Sequence, residues 1–99
     1  MQVFLSKLAE AKLLELTGYL LEEWSVRVRD EFINKLTEKV NQISDYPYSC
    51  PKSEVFTGLF KCVVSKQTTL YYRIDVDKKE IEIITVFDSR QNPDDLTKE

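Results

Sequence analysis

Four side chains in the second half of the chain, Lys61, Tyr71, Arg73 and Glu82, are of the types needed to break a phosphodiester without a metal. That reaction asks for a base to take a hydroxyl proton, a cation to stabilise the extra charge at phosphorus, and an acid to protonate the leaving oxygen. Glu82 can serve as the base, Tyr71 as the acid, and Arg73 or Lys61 as the clamp. Arg90, with Gln91 beside it, adds a polar pair near the end of the chain that can contact a phosphate or another protein. Each residue also has a plainer reading. Arg73 can pair with Glu80 or Glu82 across neighbouring strands, as opposite charges do. Tyr71 and Tyr72 can simply fill strand positions. Arg90 can be an exposed turn arginine bound to Asp88. Lys52, Lys61 and Lys66 can be solvated charges among nearby acids.

Composition narrows the chemistry. The 99 residues hold no histidine and two cysteines, Cys50 and Cys62. Such a set is too small for a zinc site, so no metal and no cofactor are expected. The two cysteines read as free thiols in a reducing compartment. A formal net charge of −3 disfavours direct nucleic-acid binding, which depends largely on phosphate neutralisation. A local basic patch on an acidic body stays open. No apolar run approaches the ~20 residues of a membrane span, and "MQVFLSKLAEAK" has neither a basic n-region nor a long apolar h-region. A cytoplasmic protein with no membrane partner is expected.

The residues must be positioned by a small number of elements. Residues 2–5 are rich in strand formers, and Ser6 stands where a helix N-cap belongs. Leu5, Ala9, Leu13, Leu16 and Leu20 recur at spacings of three and four, which predicts a helix from 7 to about 23. Trp24-Ser25 interrupts it. Val28, Phe32, Leu36, Val40 and Ile43, with Ile33 beside them, then mark a second helix over about 26–44. The short link favours an antiparallel helical hairpin. Pro47 and Pro51 make residues 44–54 an ordered loop.

Strands follow at Leu59–Lys66, Thr68–Val76 and Glu80–Phe87, with a turn at Asp77-Lys78-Lys79. Parity puts Leu70, Tyr72, Ile74, Ile81, Ile83 and Thr85 on one face, with Cys62 and Val64, and this is the face assigned to the helices. Thr69, Tyr71, Arg73, Glu80, Glu82 and Ile84 fall on the other, open face, with Lys61 and Val63. Asn92-Pro93-Asp94 can start one helical turn, otherwise 92–99 is a frayed tail. The predicted fold is α+β in the order β-α-α-β-β-β: a single domain over 1–99, an antiparallel sheet with a helical hairpin on one face.

At this size and in this order, three segments resemble the RelE/ParE toxins of bacterial type II toxin–antitoxin modules. "VFLSKLAEAKLLELTGYLLEEWS" looks like the family's opening strand and first helix. "VRDEFINKLTEKVNQISDYPYSCP" looks like its second helix and the "I…YP" junction. "GLFKCVVSKQTTLYYRID…KEIEIITVFDSRQNP" looks like its three C-terminal strands. The resemblance covers about residues 2–93 and implies the fold derived above. It implies one of two activities: cleavage of mRNA in the ribosome, or inhibition of DNA gyrase without cleavage.

Nucleases of the RelE kind place lysines on the first long strand, an arginine opening the next, an arginine after the last, and a tyrosine or histidine near the C-terminus. Lys61 and Arg90 match two of these positions. Val63 and Thr69 stand where two further cations belong, and Asp94, Asp95 or Leu96 where the last group belongs. The resemblance therefore leans to the ParE-like, non-nuclease side. It implies a cognate antitoxin that lays extended and helical segments over the toxin, with Lys61, Tyr71, Arg73, Arg90 and Gln91 facing antitoxin or target. If the chain is a nuclease, Lys61, Tyr71, Arg73, Glu82 and Arg90 carry the chemistry. A degenerate member that only binds its antitoxin or itself is the remaining alternative.

Overall fold

The computed structural model describes residues 1–91; the turn predicted at Asn92-Pro93-Asp94 lies outside them. Strand β1 (Gln2–Leu5) runs into helix α1 (Lys7–Glu23) through Ser6. The Ser6 hydroxyl accepts the Ala9 N–H at 2.9 Å, the N-cap its position predicts. Ser25 repeats the device for α2 (Val26–Asp45), accepting the Val28 N–H at 3.1 Å. With only Trp24 and Ser25 between them, the helices fold back on each other. Ala9, Leu16 and Leu20 of α1 and Phe32 and Ile43 of α2 are buried. Leu5 begins the same stripe but is 45% exposed, because it belongs to β1 at the rim.

Tyr46 ends α2, and the loop that follows is tied to the sheet. The Pro47 carbonyl accepts the Tyr72 hydroxyl at 2.7 Å, and the Pro51 carbonyl accepts the Lys61 N–H at 2.8 Å. Gly58, at φ 84°, makes the left-handed turn into β2 that a side chain would strain. Strand β2 (Phe60–Val63) is shorter than predicted. The N–H groups of Val64 and Ser65 both turn to the Thr68 carbonyl, closing a tight turn into β3 (Thr68–Asp75). A turn with Lys79 at φ 53° leads to β4 (Glu80–Asp88).

The sheet order is β1-β4-β3-β2. The last three strands are antiparallel, as predicted, but β1 pairs parallel to β4, with Gln2 opposite Glu80 and Leu5 opposite Ile83. The sheet is therefore mixed rather than wholly antiparallel. The pairing joins segments at opposite ends of the chain, so no hairpin turn sets its direction. Its anchor is Ser6, whose N–H donates to the Ile83 carbonyl at 2.9 Å and whose hydroxyl donates to the Ile84 carbonyl at 2.7 Å.

That carbonyl belongs to a β-bulge. Tyr71 faces Thr85 and Tyr72 faces Ile83, which leaves Ile84 unpaired. Strict alternation assigned Thr85 to the helix side. The extra residue reverses the parity beyond it, so Val86 takes the core face opposite Leu70 and Thr85 stands opposite Tyr71. Ile43, Cys50, Cys62, Leu70, Tyr72, Ile81, Ile83 and Val86 form the main core with Ala9, and Leu16, Leu20 and Phe32 a smaller one. Ser6→Ala removes the cap of α1 and the tie to the bulge together. It is expected to cost about 1–2 kcal/mol in a urea titration.

Candidate functional site

The open face of the sheet is organised in pairs. Arg73 and Glu82 face each other in the β3–β4 register, and the Arg73 Nε donates to Glu82 Oε1 at 2.8 Å. This is the cross-strand pairing that opposite charges at such positions favour. Both side chains are substantially exposed, at 50% and 35%. Such pairs contribute little, so a double-mutant cycle on Arg73→Ala and Glu82→Ala is expected to give a coupling of about 0.5 kcal/mol.

Two residues back along β3, Tyr71 is only 1% exposed. Phe56 from the loop meets its ring edge-on at 4.9 Å and Phe87 of β4 at 5.8 Å. Lys12 of α1 lies 4.1 Å above the Phe87 ring, a cation–π contact at the sheet margin. Parity placed Tyr71 on the open face, and it stands there, but the loop covers it. Lys61 is half-buried on β2, directly opposite Tyr71. Val63 is exposed at 56%, and its β3 partner Thr69 is buried.

Beyond β4, the Arg90 guanidinium grips the Asp88 carboxylate bidentately, Nε to Oδ1 at 3.0 Å and Nη2 to Oδ2 at 2.8 Å. The Arg90 N–H adds a third bond to Oδ1 at 2.9 Å, and the Thr68 hydroxyl donates to Oδ2 at 2.5 Å. The Tyr19 hydroxyl donates to the Arg90 carbonyl at 2.8 Å, fastening the segment to α1. Asp88 is fully buried as a side chain and Arg90 is 15% exposed. Arg90 is thus bound to Asp88, but it is not the exposed turn residue that its position suggests.

Burial by itself would raise the Asp88 carboxyl. The bonds from Arg90 and Thr68 outweigh it and hold the group below the usual carboxylate range. The same bonds to Asp88 push Arg90 up against a smaller opposing effect of burial. Gln91 donates its N–H to the Asp88 carbonyl at 3.2 Å, and its side chain lines a small crevice with Lys12 and Glu15.

The two arginine pairs lie far apart. Thr68 faces Asp88 and Arg73 faces Glu82, so five steps along β3 separate them, roughly 17 Å. A base, an acid and a clamp must meet within hydrogen-bond reach of one phosphate to act on it. Lys61, Tyr71, Arg73 and Glu82 are neighbours on one face of the sheet, but Tyr71 is sealed beneath Phe56, and Arg90, beyond β4, is anchored away from them. Sequence reasoning missed Phe56, which lies between the ordered loop predicted at 44–54 and the strand predicted from Leu59, although an aromatic there needs a surface to cover. It also treated Asp88 only as a partner of Arg90, with no sign of Thr68 beneath.

On the other side, Val3, Leu5, Leu13, Leu36, Thr37, Val40, Ile83 and Val86 line an apolar groove of about 240 Å³ between the helical hairpin and β1. Among the described residues β1 is an edge strand, paired only with β4. No helix of the described residues is long and apolar enough to cross a membrane.

A two-helix hairpin on a four-stranded mixed sheet is the α+β fold that RelE and ParE toxins share. The chain belongs to the family described as the ParE toxin of the type II toxin–antitoxin system, parDE, whose model matches residues 3–93. Among solved structures, it is similar to the chromosomal ParDE toxin–antitoxin system from P. aeruginosa, with a TM-score of 0.71 at 16% identity, covering 89% of this chain and 95% of that one. It is similar also to the RelBE2 toxin–antitoxin complex from Mycobacterium tuberculosis, with a TM-score of 0.60 at 18% identity over 88% and 95% of the two chains. The intact E. coli RelBE toxin–antitoxin complex gives 0.61 at 16% identity over 88% and 94%. At these identities the likeness shows the fold. A comparison with curated proteins gives no match.

Proposed function

We propose that this ParE-family toxin inhibits growth by binding an essential protein target, DNA gyrase in the first instance, and does not cleave RNA. The observation that carries this reading is the burial of Tyr71, the one acid of the candidate set, which is 1% exposed beneath Phe56, while Arg90 and its partner stand roughly 17 Å along β3 from the Arg73 pair. Arg90 is held by the buried Asp88, and Tyr71, beside the weakly paired Arg73, is covered by Phe56. Binding asks for a surface and not for convergence. The open face offers one, with Lys61, Arg73 and Glu82 on its strands and Gln91 at its end.

Purified toxin added to a gyrase supercoiling reaction is expected to inhibit it, while mRNA on translating ribosomes stays intact. Ribosome-dependent cutting with unimpaired supercoiling contradicts the proposal. Growth that is unaffected by the induced chain points to a member that only binds its antitoxin.

The cognate antitoxin, on this reading, occupies the opposite side. The apolar groove takes the nonpolar face of a helix, and the edge of β1, unpaired among the described residues, accepts an added strand. Leu5 lines the groove and is already 45% exposed, so a charge there leaves the fold intact. Leu5→Glu is expected to weaken antitoxin binding by more than about tenfold in calorimetry, and unchanged affinity removes the groove from the proposal.

A further inference from the structure

Cys50 and Cys62 are both free and both buried in the main core. They come from different segments, one from the loop after α2 and one from β2. The backbone sets their relation. Lys52 pairs antiparallel with Phe60, and that pair is flanked by the Lys61 N–H to Pro51 carbonyl bond and the Ser53 N–H to Leu59 carbonyl bond, each 2.8 Å. Bonds placed on either side make Lys52/Phe60 a non-hydrogen-bonded pair. Pro51 has no N–H to carry the ladder on, but continuing that register by two residues brings Cys50 toward Cys62. Facing residues in such a register have their side chains on one face, with Cα atoms about 4.5–5.5 Å apart. A disulfide accepts Cα separations of about 4.4–6.8 Å. Burial, with Cys50 adding to it, pushes the Cys62 thiol up to about 12, which agrees with contact between the two and makes Cys62 a poor first nucleophile.

We propose that Cys50 and Cys62 form an oxidation site, at which a hydroperoxide converts the two thiols into an intrachain disulfide tying the loop to β2. Cys50 reacts first, being 7% exposed against 1% for Cys62. Its sulfur attacks one peroxide oxygen, so an S–O bond forms and the O–O bond breaks. The departing oxygen takes the thiol proton and leaves as water from hydrogen peroxide, or as an alcohol from an organic hydroperoxide. The Cys62 sulfur then attacks the Cys50 sulfenic acid; the S–S bond forms, the S–O bond breaks, and water leaves with the Cys62 proton. The two sulfurs together lose two electrons and the peroxide gains them. A small oxidant suits a site with so little exposure.

The ring so closed contains Phe56, the residue that covers Tyr71. Oxidation therefore fastens the cover of the open face. The redox state of the pair thus acts on the same surface that the proposed target binding uses, but its test does not depend on that binding.

The full chain is treated with hydrogen peroxide, and its thiols are counted with a maleimide in denaturant beside an intact mass under non-reducing conditions. The expected product has lost two hydrogen atoms and both thiols, remains a single chain, and recovers both thiols with dithiothreitol. Cys62→Ser is expected to stop at the Cys50 sulfenic acid, trapped by dimedone. Two free thiols after treatment, oxygen adducts on Cys50 or Cys62 in the unsubstituted chain (an adduct on Met1 being set aside by peptide mass), or a disulfide between two chains overturns the proposal. If Cys62→Ser does not fold, the unsubstituted chain decides the matter alone.

Discussion

Asp88→Ala is expected to destabilise the protein by about 3 kcal/mol, lowering its melting temperature by roughly 15 °C. Asp88 carries no exposed side-chain surface, and it accepts three bonds from Arg90 and one from Thr68. Its removal leaves a guanidinium that is only 15% exposed and a buried hydroxyl, neither with its partner. That is the costly way to break an ion pair, because the charge that remains is already desolvated.

The same group predicts a pH dependence. The folded-state carboxyl sits below its ordinary value, so its contribution is fully present above the unfolded value, about pH 3.9, and is lost as pH falls through the lower folded value. Unfolding free energies measured across that acid range should fall for the unsubstituted protein and change less for Asp88→Ala. The pair also complicates the plain arginine test. Arg90→Ala strips Asp88 of its main partner, so lost toxicity in that variant can reflect lost folding.

Tyr71→Ala is the second large effect, a loss of about 3 kcal/mol, because it empties the space between Phe56 and Phe87 under the loop. Tyr71→Phe keeps the ring and removes only the hydroxyl. It is expected to stay within about 1 kcal/mol of the unsubstituted protein and to arrest growth equally well. A hydroxyl acting as a general acid gives the opposite pattern: a stable Phe variant that has lost its activity. The two substitutions together separate a packing role from a chemical one.

The helices were legible because their signals are local. Ser6 and Ser25 cap where they stand in the sequence, and the stripe from Ala9 to Leu20 announces its buried face. The cross-strand pairing of Arg73 was legible from charge and parity alone. What escaped was set by one irregular residue and by distance along the chain. The bulge at Ile84 reverses parity for Thr85 and Val86, and no residue type at that position signals it. The direction of β1 depends on Ser6 meeting Ile83 and Ile84, more than seventy residues away. The candidate site suffered most, since parity counts faces and not covers. It placed Tyr71 on the open side, but it could not see Phe56 close over the ring.

The most direct test of a binding toxin is made in cells. The chain and its Tyr71→Phe variant are each induced alone in a bacterium, and the 5′ ends of all mRNAs are mapped as growth stops. Binding to gyrase predicts arrest by both forms with a DNA-damage response and no new codon-positioned ends. Codon-positioned cuts made by the unsubstituted chain and absent in Tyr71→Phe would contradict it.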